Sequence, residues 1–119
     1  MLIPIPQYPL YSASLTLYGG KAVPYELIEE ENWKVSTEQM AESVRKARKE
    51  GIDVRAIVII NPGNPTGNCF TEENLYEIIK LCRDEKLVLM ADEVYQNNIF
   101  FPERPFVSAK KILKSYSRY

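Results

Sequence analysis

The sequence has no histidine and only two cysteines, Cys69 and Cys82, in 119 residues. Without histidine the chain cannot assemble a serine–histidine or cysteine–histidine catalytic pair of its own. Two cysteines fall two good ligands short of a structural zinc site. One disulfide is arithmetically allowed, but Cys82 falls on the inward stripe of a predicted helix. Both residues are therefore read as reduced thiols of a cytosolic-type protein. Long hydrophobic runs are also missing. Ala56 to Ile60 is strand-sized, far short of the ~20 apolar residues a membrane-spanning helix needs. The opening Met-Leu-Ile-Pro-Ile-Pro lacks the basic region and small-residue cleavage site of a secretion signal. A net charge of −1 carries no excess of either sign to favour nucleic acid or an anionic membrane. No Gly-x-Gly-x-x-Gly occurs, which weakens a dinucleotide reading, and a P-loop is a poor fit to the one Pro/Gly-rich loop present.

What is present is enough for one ordinary domain, with 45% hydrophobic residues to build a core. Short apolar strands alternate with amphipathic helices, the pattern of βαβ units around a parallel sheet. Leu2 to Ile5 reads as a strand. A helix should start near Pro9 and carry Tyr8, Tyr11, Leu15 and Tyr18 on one side, with Gly19-Gly20 stopping it. Lys21 to Pro24 reads as a second strand, and Glu29 to Glu31 as a solvated acidic loop. Ser36 and Gln39 form a capping box ahead of Met40, Val44 and Ala47, and Gly51 ends that helix. Arg45, Lys46, Arg48 and Lys49 read as its exposed face, since no aromatic residues are interleaved with them. Val54 to Ile60 is the strongest strand signal, its unbroken apolarity suiting a strand covered on both faces. Thr71 caps a helix with Leu75, Ile78, Ile79 and Cys82 inward and Glu72 and Glu73 at its positive end. Leu87 to Ala91 supplies a fourth strand, and Val107 to Tyr116 a short final helix.

Open parallel sheets bind ligands beyond the carboxyl ends of their strands. Tyr8, Asn64 and Asp92 follow the first, third and fourth predicted strands, so an aromatic ring, an amide and a carboxylate should share one rim. That combination suits a small molecule. Between the third strand and its helix lies Asn61-Pro62-Gly63-Asn64-Pro65-Thr66-Gly67, whose two prolines and two glycines demand a rigid, tightly turned backbone.

This loop, followed one βα unit later by Asp92-Glu93-Val94-Tyr95, is similar to the motif pair of fold-type I pyridoxal-phosphate aminotransferases. The stretches Pro4 to Ser12 and Asp92 to Gln96 resemble the alanine aminotransferase branch in particular, and the resemblance runs over essentially the whole chain. It implies an α/β fold, a mostly parallel sheet with helical crossovers, with residues 1–119 forming part of the pyridoxal-phosphate-binding large domain. It implies pyridoxal 5'-phosphate as cofactor, with Asp92 partnering the ring nitrogen and Asn64 and Tyr95 bonding the phenolic oxygen. Tyr8 would stack on the ring face. Amino-acid and 2-oxo-acid substrates, a homodimer and a cytoplasmic or mitochondrial setting follow from the same likeness, as do cis bonds at Asn64–Pro65 and Ile5–Pro6. Asn68 stands where that branch more often has glutamine, and Phe101 to Val107 diverges further.

The family's Schiff-base lysine has no counterpart here. Ser108-Ala109-Lys110 echoes its surroundings, but no strand precedes it, and Lys110 and Lys111 read as surface residues of the last helix. The phosphate-holding glycine-rich loop, the small domain and the carboxylate-binding arginine are also absent. The chain therefore reads as a piece of a larger alanine aminotransferase, inactive alone and prone to aggregate through uncovered edges. Two alternatives stay open. One is a related fold-type I enzyme, such as a kynurenine-type aminotransferase or an aminocyclopropane-carboxylate synthase. The other is a non-enzymatic remnant or binding module.

Overall fold

The computed structural model describes residues 1–100 and 102–116. Phe101, at the head of the divergent segment, lies outside them. In chain order the elements are β1 (Leu2–Ile5), α1 (Leu10–Leu17), β2 (Val23–Ile28), a 3-10 turn (Glu29–Glu31), β3 (Lys34–Val35), α2 (Thr37–Lys49), β4 (Ala56–Ile60), α3 (Glu72–Asp84), β5 (Val88–Asp92) and α4 (Ala109–Tyr116). They form one sheet in the order β3-β2-β1-β4-β5. All neighbours are parallel except β3, which runs antiparallel to β2.

The four predicted strands correspond to β1, β2, β4 and β5. β4, β5 and α4 begin one or two residues later than predicted, β5 ends one residue later, and the larger change is in β2. β2 begins at Val23 and runs on to Ile28, beyond the predicted Lys21 to Pro24. β3 carries too few residues to leave a period in the sequence. It forms because Asn32 and Trp33 adopt positive φ angles of 56° and 62° and turn the chain back, letting Val35 bury at 1% exposure. Asparagine tolerates that conformation; a bulky tryptophan there is unusual.

The crossovers explain which helices bury a stripe. β1 connects to β2 toward one edge of the sheet, whereas β4 connects to β5 toward the other. Right-handed crossovers running in opposite directions place their helices on opposite faces. Accordingly α2, α3 and α4 share one core: Met40, Val44 and Ala47 meet Leu75, Ile78, Ile79, Cys82, Ala109 and Ile112 over Leu2, Ile57 and Ile59. Each buried Leu, Ile, Val or Met side chain of this core contributes about 1.5–3 kcal/mol by leaving water. α1 is left out of that layer and buries no residue. The predicted stripe of Tyr8, Tyr11, Leu15 and Tyr18 is not buried: the helix runs only from Leu10 to Leu17, no residue of it is buried against the other described elements, and Tyr18 is 84% exposed.

Both predicted caps are present. The Ser36 hydroxyl accepts from the Gln39 amide at 3.3 Å, and the Thr71 hydroxyl from the Asn74 amide at 3.1 Å. Gly51, just past α2, has φ +80°, as a helix-ending glycine should. The basic face of α2 is exposed, and Arg48 donates to the carboxylate and carbonyl of Glu85. Among the described residues no helix is long and apolar enough to cross a membrane.

Candidate active site at the sheet rim

Because β1 and β4 are neighbours whose outgoing chains leave in opposite directions, a notch opens beyond their carboxyl ends. Such a switch point is where open α/β sheets hold ligands. Three stretches of chain meet there. The Tyr8 amide, just after β1, donates to the Asn64 carbonyl, just after β4, at 3.0 Å. The Asn61 amide donates to the carbonyl of Asp92, the last residue of β5, at 2.9 Å. Tyr8, Asn64 and Asp92 therefore share one rim.

The Asp92 carboxylate is held at both oxygens. Oδ2 accepts from the Tyr11 phenol at 2.8 Å, and Oδ1 from the Val94 amide at 3.2 Å. Each oxygen keeps a further lone pair. Burial, followed by the hydrogen bond to Asp92 and its charge, raises the Tyr11 pKa to about 12. The phenol thus stays protonated and remains a donor. Asn64 and Tyr95 line one shallow hollow of about 210 Å³ with Pro62, Gly63, Pro65 and Phe100, whereas Tyr8 and Asp92 do not line it. Tyr8 is 55% exposed and Tyr95 40%, so their rings are open to a ligand.

The loop beneath, Asn61 to Gly67, is held in place by buried side-chain hydrogen bonds. Ile5–Pro6 and Asn64–Pro65 are cis, as the resemblance implied, and Asn61–Pro62 is cis as well. Asn61 is fully buried; its Oδ1 accepts from the Phe70 amide at 3.1 Å and its Nδ2 donates to the Val107 carbonyl at 3.0 Å. Asn68, at the position that departs from the alanine branch, accepts from the Thr66 hydroxyl and donates to the Trp33 carbonyl at 3.2 Å. That bond fastens the loop to the β2–β3 turn. A Cβ on Gly63 would fall inside contact distance of Thr66 Oγ1 and Asn68 Oδ1, so any side chain there would force one of them to shift.

The contacts of Tyr11, Asn61 and Glu93 escaped the sequence reading, which named them only as members of a helix stripe or a motif. The Glu93 side chain turns away from the rim to cap α4, accepting from the Ala109 amide at 2.8 Å and the Ser108 hydroxyl at 2.9 Å. Helical spacing put Tyr11 on one side with Tyr8 but could not reveal its hydrogen-bond partner, which lies 81 residues away. Lys110 and Lys111 are exposed on α4, and Lys111 pairs with Glu72 at 2.9 Å. Neither lines the hollow.

A mostly parallel sheet with helical crossovers, and with a carboxylate, an amide and phenols gathered at its switch point, defines an α/β domain of the kind whose ligands sit beyond the strand ends. More specifically, the chain belongs to the class I and II aminotransferase family, whose model matches residues 1–118. Glutamate–glyoxylate aminotransferase 1 of Arabidopsis thaliana is 59% identical over 113 residues, covering 95% of this chain and 24% of that protein. The mitochondrial alanine aminotransferase 1 of the same plant is 50% identical over 115 residues, 97% of this chain and 21% of that one. The pyridoxal-phosphate-bound C-S lyase of Staphylococcus hominis matches with a TM-score of 0.82 at 21% identity, over 97% of this chain and 29% of that one, a likeness of fold alone. The chain spans about a quarter of the length of the curated relatives it matches.

Proposed function

We propose that residues 1–119 are part of the large domain of a pyridoxal-phosphate-dependent aminotransferase that moves an amino group between L-alanine and 2-oxoglutarate. The observation that carries this reading is the doubly held Asp92 carboxylate at the switch point, with Asn64 and Tyr95 together lining a hollow at the loop that follows β4. Its donor set fits the cofactor. A carboxylate suits a protonated ring nitrogen, an amide and a phenol suit an anionic ring oxygen, and the exposed Tyr8 ring suits an aromatic face. Bound there, pyridoxal phosphate would supply an electron sink for loss of a substrate's α-proton. Asp92 would hold the proton on the ring nitrogen, Asn64 and Tyr95 would bond the phenolic oxygen, and Tyr8 would stack against the ring. Without a Schiff-base lysine in this stretch, these 119 residues alone would not turn over. The complete protein is proposed to be a homodimer acting in the cytoplasm or mitochondria.

A second reading, transfer from glutamate to glyoxylate, is favoured by the 59% identity to a protein of that name against 50% for the alanine enzyme. Steady-state rates of the full-length protein with each substrate pair separate the two. The site assignment is tested there as well. Asp92→Asn should lower kcat/KM by about 10²–10³, as for loss of a preorganised electrostatic contact. Tyr8→Phe, which keeps the ring, should cost less than about tenfold. Comparable losses would overturn the assigned roles.

A further inference from the structure

We propose that Tyr11 is a positioning residue for the site: its phenol fixes the Asp92 carboxylate at the rim and ties α1 to the strand that carries it. The inference rests on the cofactor reading above and extends it to a residue that would not itself touch the cofactor.

The argument begins with α1. This helix buries no residue and has no side-chain N-cap, so apolar packing does little to place it. Its other side-chain hydrogen bonds are local: Ser12 donates to the Pro9 carbonyl and Thr16 to the Ser12 carbonyl. Among the described residues, Tyr11 to Asp92 is the one side-chain hydrogen bond that leaves α1 for another element. A single bond therefore joins the segment carrying Tyr8 to the end of β5.

Asp92 gives the second half. An aspartate at a strand end swings about its last torsion unless both oxygens are held. The Val94 amide holds Oδ1 within a local turn, and Oδ2 has Tyr11. Remove the phenol and Oδ2 loses the partner that orients the carboxylate toward a ligand. A phenol suits this task because it stays a neutral donor through the working pH range, as the cause and direction of its raised pKa indicate. The pair then keeps a single negative charge to offer a cationic ring nitrogen.

The test is a double-mutant cycle in the full-length protein, read as the equilibrium dissociation constant of pyridoxal phosphate for the cofactor-free form. Tyr11→Phe keeps the ring and removes only the hydroxyl, so the variant should fold, and thermal denaturation without cofactor checks that it does. We expect Tyr11→Phe to weaken cofactor binding about tenfold, the loss typical of a hydrogen bond to a charged group. In an Asp92→Ala background the same substitution should change binding less than about twofold, because a residue acting through Asp92 has nothing left to position. An equal loss in both backgrounds would overturn the proposal, as would a wild-type-like constant for Tyr11→Phe when Asp92→Ala binds poorly. Unchanged binding in Asp92→Ala itself would instead refute the cofactor reading, and this inference with it.

Discussion

Asn61→Asp replaces one buried atom and should create a protein whose stability depends on pH in a calculable way. Asn61 is fully buried and works in both directions, accepting from Phe70 and donating to Val107. A protonated aspartic acid can do the same, whereas an ionised one sets a carboxylate oxygen against the Val107 carbonyl. The folded state will therefore hold the acid neutral, its pKa raised above the roughly 3.9 of an unfolded aspartate. Between those two values the folded chain binds one more proton than the unfolded chain, so stability falls as pH rises. The fall is about 1.4 kcal/mol per pH unit, reaching a ceiling of about 4 kcal/mol near pH 7 if the acid stays protonated throughout. At pH 4.5 the same reasoning leaves a penalty under about 1 kcal/mol. Urea denaturation of variant and wild type, compared at pH 4.5, 6 and 7.5, reads this directly. With slopes of about 1–3 kcal/mol per molar, the midpoints should separate by more than about a molar at pH 7.5 and nearly coincide at pH 4.5. A gap that is constant across that range would refute the two-way role of Asn61.

Two further substitutions or treatments test the surroundings. Gly63→Ala places a methyl group against the Thr66 and Asn68 side chains, and should cost about 1–3 kcal/mol in a urea titration; a cost under about 0.5 kcal/mol would show that the loop yields. Cys82 is buried and its thiol is pushed up to about 11 by desolvation, and burial raises Cys69 as well. Disulfide-exchange labelling at pH 8 should therefore be slow at both sites in the native state and fast in urea; rapid native labelling of Cys82 would refute its burial.

The sheet and its covering helices were legible because strand and helix periods are local, and because Ser36 and Thr71 announce their helices in the residue types themselves. The shared rim of Tyr8, Asn64 and Asp92 was legible for the same reason, since each follows a strand. What stayed hidden depends on distance along the chain. The Tyr11–Asp92 bond joins residues 81 apart, and nothing near either one signals the other. Glu93 follows Asp92 in the motif, and nothing near it signals that α4, sixteen residues on, uses its carboxylate. The failed stripe on α1 shows the converse error. Its spacing is helical, yet spacing says nothing about whether a face has a layer to pack on, and the direction of the β1–β2 crossover decides that.

The divergence of the chains leaving β1 and β4 has a consequence for how the protein matures. No single segment owns the notch, since its walls come from the stretches after β1, β4 and β5, which meet only when the sheet order is complete. A molecule that binds there with all three recognises the assembled sheet and ignores every partly built one. On the proposed reading, cofactor binding would add stability in proportion to RT ln(1 + [L]/Kd) only to chains in which these three strand ends have met.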